Sequence, residues 1–259
     1  MLKASLHIHI QGDPEDYLNY TGFDVLDRAH KLGYEVIAFT CHHRVVMTPE
    51  FQEHAKKLDI LLITGVELNL GGDIVVLNAS PEIERLKTPD DLRQYRLAHP
   101  EIFIMAAHPF FPVRKWCLQE RIHDCIDIFD AIEHCWFYSK LINLNKKAQA
   151  LAKKHNLPYI ATADLHLLSE IRGNHVLIDA EKNIESVLEA LRQGKFKSVA
   201  KPQGIFQMFW TFAKMQAIGF SSFLPWAPPH IPFQHEKFHR QHQTKSKSRS
   251  QKTSISRRI

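Results

Sequence analysis

The chain has 259 residues, a formal net charge of +5, 44% hydrophobic and 24% charged residues. These values exclude a membrane-spanning bundle and a wholly disordered chain, and they allow one large domain with a tail. The charge is unevenly placed: residues 236–259 carry eight Lys/Arg and one acid, a local net of +7, which leaves −2 for residues 1–235. Four cysteines without CxxC spacing (Cys41, Cys117, Cys125, Cys135) exclude a zinc ribbon or disulfide framework and fit reduced cytosolic thiols.

In chain order, residues 3–10 predict a first strand, entered without a basic and apolar leader, so a cytoplasmic location is expected. Leu6, Ile8 and Ile10 alternate with His7 and His9. Period-2 alternation sets both imidazoles on one face, about 7 Å apart along the strand. Two buried imidazoles on one face need a shared partner, and a metal ion supplies one. The polar stretch 11–21 carries Asp13 and Asp16 and reads as a loop. Residues 23–32 predict a helix stopped by Gly33, 35–40 a buried strand ending in Cys41-His42-His43, and 49–58 a helix. Residues 60–64 predict a strand ending in Gly65-Val66-Glu67, and 68–70 with 73–79 predict a hairpin across Gly71-Gly72.

The second half repeats this rhythm. Strands are expected at 102–107, ending in His108; at 125–132, ending in Glu133-His134; at 158–163, ending in Asp164-Leu165-His166; and at 176–178. Helices are expected at 145–155 and 184–192. Continuous apolar strands alternating with helices predict a parallel sheet covered on its outer face, most simply a β/α barrel. His7, His9, His42, Glu67, His108, Asp164 and His166 all fall at predicted C-terminal strand ends, where barrel active sites assemble.

The stretches LHIH at 6–9, AFTCHH at 38–43, ITGVE at 63–67, AAHPFF at 106–111 and ATADLH at 161–166 carry a family resemblance. In this order they resemble the polymerase and histidinol phosphatase (PHP) family of metal-dependent phosphoesterases, over about residues 3–200. The resemblance implies a distorted seven-stranded β/α barrel with two to three divalent ions. It implies that His7, His9, Glu67 and Asp164 hold one metal and that Glu67 bridges to a second, also bound by His108. It implies that His42 and His166, with an acid from the 13–16 loop, hold a third. Glu67, Asp164 and His166 then stand at the catalytic centre. Two positions depart from the family pattern: Asp73 stands where a further His is common, and Asp13 fits the loop position somewhat better than Asp16. His43 is expected beside the ligands or in solvent, and His134 in a structural or substrate-facing position.

Mixed imidazole and carboxylate ligands suit manganese, iron or zinc. Arg44, Arg114 and Arg172 follow three of the motifs and are candidates to grip a substrate phosphate, or are solvated surface residues. Relatives of this family act as 5′-to-3′ exonucleases, on nucleoside bisphosphates, or on small metabolites. A nucleotide or short nucleic acid is the expected substrate, with a small-metabolite phosphatase or an inactive metal-binding regulatory module as alternatives. A barrel hydrolase of C–N bonds ranks lower, because Glu67 stands where such enzymes usually carry a Lys.

The expected organisation is a metal phosphoesterase domain at 1–204, an apolar and aromatic segment at 205–235, and a disordered basic tail at 236–259. The middle segment is expected as a helix lying on the barrel or on a membrane surface. The tail would add attraction to anionic lipid or RNA.

Overall fold

The structure is a computed structural model, and it describes residues 1–112 and 115–221. Nine strands form one sheet in the order β7-β6-β5-β4-β3-β2-β1-β8-β9. They are β1 (Leu2–Ser5), β2 (Val36–Phe39), β3 (Leu61–Asn69), β4 (Asp73–Leu77), β5 (Phe103–Ala106), β6 (Ala131–His134), β7 (Tyr159–Ala161), β8 (His175–Ile178) and β9 (Phe196–Val199). The helices are α1 (Gly22–Lys31), α2 (Pro49–Lys57), α3 (Pro89–Ala98), α4 (Lys146–Lys154), α5 (Ile184–Arg192) and α6 (Ile205–Ser221).

Strands β1 to β7 make the expected seven-stranded ring. It closes where the chain beyond β1 meets the chain beyond β7: His9 N donates to Leu165 O at 3.1 Å and Leu165 N donates to His7 O at 3.2 Å. The distortion has a local origin. β3 and β4 form the antiparallel hairpin across Gly71-Gly72, so β4 runs against both β3 and β5, while β1–β2, β2–β3, β5–β6 and β6–β7 are parallel. β8 and β9 extend the sheet antiparallel from β1. Gly65 sits where β3 is crowded from both sides. A Cβ there would lie 2.9 Å from Thr40 Cγ2 and 3.0 Å from the carbonyls of Phe39 and Val76.

Alternation sorts the strand residues. Leu2, Ala4, Leu6, Val36, Ala38, Ile63, Val75, Leu77, Phe103 and Met105 join one buried cluster with Val187, Leu188 and Leu191 of α5. Ile37 and Phe39 face the opposite way and pack with Val25, Leu26, Phe51 and Ala55 of α1 and α2. The same apolar burial that sets this pattern stabilises each large side chain by roughly 1.5–3 kcal/mol. The helix starts are locally encoded: Thr21 and Thr88 form capping boxes with Asp24 and Asp91, and Thr48 and Asn183 cap α2 and α5.

Three expectations are corrected. The strand placed at 125–132 is a 3₁₀ turn at Ile126–Ile128 followed by β6, since Asp130 leaves the apolar run to accept from Ile104 N (2.8 Å) and pair with Arg96 (2.6 Å). Helix α3 and strand β9 were not anticipated. Regular pairing in the first strand stops at Ser5 rather than Ile10.

Helix α6 packs on the barrel through Met208, Phe212 and Met215, against Phe111, Trp136 and Phe137. Among the described residues no helix is long and apolar enough to cross a membrane. The readings for 222–235, the basic tail 236–259 and Arg114 lie outside the described residues.

Candidate metal centre

The short extension of β1 decides the site. Leu2, Ala4 and Leu6 face into the ring, but Ile8 and Ile10 pack outward with α1 and α2. The face switches between residues 6 and 8, where the ladder has ended, and this turns His7 and His9 inward. Both rings are fully buried, 5.1 Å apart between centroids. Next to them the chain after β2 makes a parallel bridge between His42 and Glu67, with Glu67 N donating to Cys41 O (3.1 Å) and His43 N to Glu67 O (2.7 Å).

Glu67 is the centre of the resulting cluster. Its Oε2 lies 3.2 Å from Nε2 of each of His7, His9 and His42, and its Oε1 lies 3.4 Å from His108 Nε2. Asp164 Oδ1 is 3.5 Å from Nε2 of both His7 and His9 and 3.3 Å from His166 Nδ1. Three sets of donor atoms each fall within 4.8 Å: His7, His9 and Asp164; Glu67, Asp73 and His108; and His9, Asp16, His42 and His166, with His9 shared between the first and the third. His108 (φ 28°) and Asp164 (φ 43°) hold left-handed backbone, a cost of about 1–3 kcal/mol each that persists only when the surroundings enforce it.

The donor chemistry fits a bound cation. His7 Nδ1 donates to Glu133 Oε1 at 2.7 Å and His9 Nδ1 to Asp13 Oδ2 at 2.8 Å. With those protons placed, the neutral rings turn two Nε2 lone pairs towards each other at 3.1 Å and towards the Glu67 carboxylate. Lone pairs and anions converging in a dry site repel unless a cation lies between them or the rings are protonated. Glu67 Oε1 and Asp164 Oδ1 are buried without a hydrogen-bond partner. A carboxylate that accepts from Nδ1 is the usual way to fix the orientation of a metal-binding imidazole.

Without a cation the rings take up protons. Burial alone favours neutral His7, yet Glu67, Asp164 and Glu133 raise its pKa to about 10. Burial and His166 oppose charge on His9, and hydrogen bonds to Asp13, Asp164 and Glu67 still lift it to about 10. Burial likewise disfavours the charged forms of Glu67 and Asp164, but the surrounding imidazoles hold both well below the ordinary carboxylate range. Asp73 differs: burial, then Glu67, push it up to about 7.

The structure brings His7, His9, His42, Glu67, Asp73, His108, Asp164 and His166 together. The loop acids divide the work differently from the sequence preference for Asp13. Asp13 is buried behind the rings, accepting from His9 Nδ1, His42 Nδ1 (3.0 Å) and His42 N (2.9 Å). Asp16 is the loop acid that reaches the cluster, 2.9 Å from His166 Nε2. Asp13 Oδ1 accepts from the backbone of Glu15 and Asp16, so one carboxylate sets both the rings and the loop.

His43 turns away to pair with Glu15 at 3.2 Å, and His134 lies between Tyr138 and Tyr159 with its Nε2 unpartnered. Arg44 is exposed, with the Gly12 carbonyl 3.4 Å away, and Arg172 is exposed and lines a cavity shared with Asp164 and His166. Glu133 went unrecognised in the sequence. It is fully buried and accepts from His7 Nδ1, Thr162 Oγ1 and His108 N (2.6 Å). Its only signal was an acid directly after the apolar pair Ala131-Ile132.

Comparison with known proteins agrees with this architecture. The family model of the PHP domain matches residues 19–99, and the PHP-associated model matches 143–196, together just over half of the chain. The first span holds His42, Glu67 and Asp73, and the second holds Asp164 and His166. An uncharacterized protein of Methanocaldococcus jannaschii is 25% identical over 174 residues, 59% of this chain and 95% of that protein. Among solved structures, a two-domain Bacteroides vulgatus protein containing a predicted PHP-like metal-dependent phosphoesterase shares the fold at TM-score 0.62 and 19% identity. That match covers 83% of this chain and 69% of that one. The lesion-specific endonuclease EndoQ of Pyrococcus furiosus aligns at TM-score 0.52 and 15% identity, over 76% of this chain and 57% of its own length. The barrel, the hairpin inserted in it and the matched segments agree: the chain belongs to the PHP domain family.

Proposed function

We propose that the chain is a metal-dependent phosphoesterase that hydrolyses phosphate esters at the cluster around Glu67. The observation that carries this reading is the convergence of three donor sets on one buried carboxylate. His7, His9 and Asp164 would hold one ion, and Glu67, Asp73 and His108 a second. His42, His166 and Asp16 would hold a third, with Asp13 orienting His9 and His42. Bound manganese, iron or zinc would activate water near neutral pH and offset the charge of the phosphoryl group.

The residues of the chain prepare this. Glu133 and Asp13 hold Nδ1–H of His7 and His9 so that both Nε2 atoms face inward. Trp136 Nε1 lies 3.3 Å from Asp164 Oδ2 and leaves Oδ1 free on the cluster side. Burial of Glu67 excludes bulk water from the carboxylate that all three sets approach. The substrate is assigned as a nucleotide or short nucleic acid, which the shared fold of a lesion-specific endonuclease supports.

The test is metal content by elemental analysis beside phosphate release and strand cleavage on a nucleotide and oligonucleotide panel after manganese loading. Two or three ions per chain, with hydrolysis abolished in Glu67→Ala, is the expected result. A folded chain with neither bound metal nor hydrolysis refutes the reading.

A further inference from the structure

A cavity of about 370 Å³ opens from the Asp164 and His166 side of the centre. One wall is the loop after β7 (Ser169, Glu170, Arg172 and Asn174). The opposite wall is the segment 201–204 and α6, through Lys201, Gln203, Gln207 and Thr211. Trp136, whose indole N–H reaches Asp164, lies at the junction of cavity and cluster. Helix α6 and residues 201–204 fall outside both family-matched spans.

The cavity's chemistry is distinct from that of the cluster. Arg172 and Lys201 both line it, and neither forms an ion pair among the described residues. Asn174 is only 4% exposed, and its Nδ2 is buried without a hydrogen-bond partner. Gln203 Oε1 is also buried and unpartnered. An unmet buried polar group costs roughly 1–3 kcal/mol, a cost that an occupant able to pair with it removes. Two unpaired cations facing one concavity, with Glu170 the one acid beside them apart from Asp164, favour an anion.

We infer that the cavity receives the alcohol half of the phosphate ester, and that Arg172 and Lys201 select esters whose alcohol half carries an anionic group of its own. The inference rests on the phosphoesterase reading of the adjoining centre. The reacting phosphate lies at the cluster, and the second charge sits in the cavity against the guanidinium and ammonium. The amides of Asn174 and Gln203 pair with the polar groups between.

The test uses two non-hydrolysable probes, benzylphosphonate and 4-carboxybenzylphosphonate, titrated calorimetrically into the manganese-loaded full chain. The carboxylated probe is expected to bind about tenfold more tightly or better. In the Arg172→Ala/Lys201→Ala double variant that preference falls to about threefold or less, and high salt narrows it in the wild type. Equal binding of the two probes to the wild type, or an undiminished preference in the double variant, overturns the inference. Phenyl phosphate hydrolysis is followed in parallel. Release of phosphate without probe discrimination overturns the cavity assignment alone. Discrimination without hydrolysis of phenyl phosphate, its 4-carboxy derivative or any member of the nucleotide and oligonucleotide panel overturns the catalytic reading, and with it the assignment of an ester to the cavity.

Discussion

Glu133→Gln tests whether the centre depends on residues that never touch a metal. Glu133 Oε1 accepts from His7 Nδ1 and Thr162 Oγ1, and Oε2 accepts from His108 N. Glutamine keeps the shape but replaces one oxygen with an NH₂ group. Whichever way the amide turns, a donor then faces either the His7 Nδ1–H or the His108 N–H. Hydrogen bonds to a charged group contribute about 1.5–3 kcal/mol and neutral ones about 0.5–1.5, so the exchange weakens the His7 contact by about 1 kcal/mol. The facing donors leave a buried N–H unmet, at a further cost of about 1–3 kcal/mol. Because the affected hydrogen bonds orient the His7 ring and the backbone of His108, metal affinity is expected to fall about 10–100-fold. Competition with a fluorescent chelator for manganese measures this, and urea unfolding of the chelated chain measures the loss of stability. An affinity within about twofold of wild type, with the unfolding midpoint unchanged, would refute the orienting role of Glu133.

Two further outcomes are expected. Gly72→Ala places a Cβ 2.3 Å from Leu118 N and 2.6 Å from the Cys117 carbonyl carbon, which forces back the loop that sets Cys117 Sγ 3.5 Å from His108 Nδ1. A loss of about 1–3 kcal/mol in chemical denaturation is expected, and a change below about 0.5 kcal/mol contradicts the packing argument. The second concerns pH in the metal-free chain. Burial opposes charge on His7, but Glu67, Asp164 and Glu133 raise its pKa from 6.5 to about 10. A raised histidine contributes stability that is fully present below the unfolded value and is lost as pH rises through the folded value. The urea midpoint of the chelated chain is therefore expected to fall between pH 6.5 and 10. Metal loading, which needs deprotonated rings, is expected to flatten that fall. A chelated chain with an unchanged midpoint across this window contradicts the prediction.

Local signals in the sequence were enough for much of the fold. The spacing of Val187, Leu188 and Leu191 with Gly194 beyond them sets α5 at Ile184–Arg192, and Gly71-Gly72 places the hairpin. The positions of His42, Glu67, His108 and Asp164 after apolar runs put them at one end of the ring, because a strand's length fixes where its next residues emerge. Period-2 alternation determined that His7 and His9 share a face. It did not determine which face, because that depends on where pairing with β2 stops and where Leu165 closes the ring. The choice of Asp16 for the cluster and Asp13 for the space behind the rings also came from tertiary structure. Both acids lie in one loop, and only the placement of His42 and His166 separates them. Glu133 meets His7 across 126 residues of sequence. Periodicity reports which residues of one segment point together; the partner of a buried charge is set by contacts between segments, and those exist only after the ring has closed.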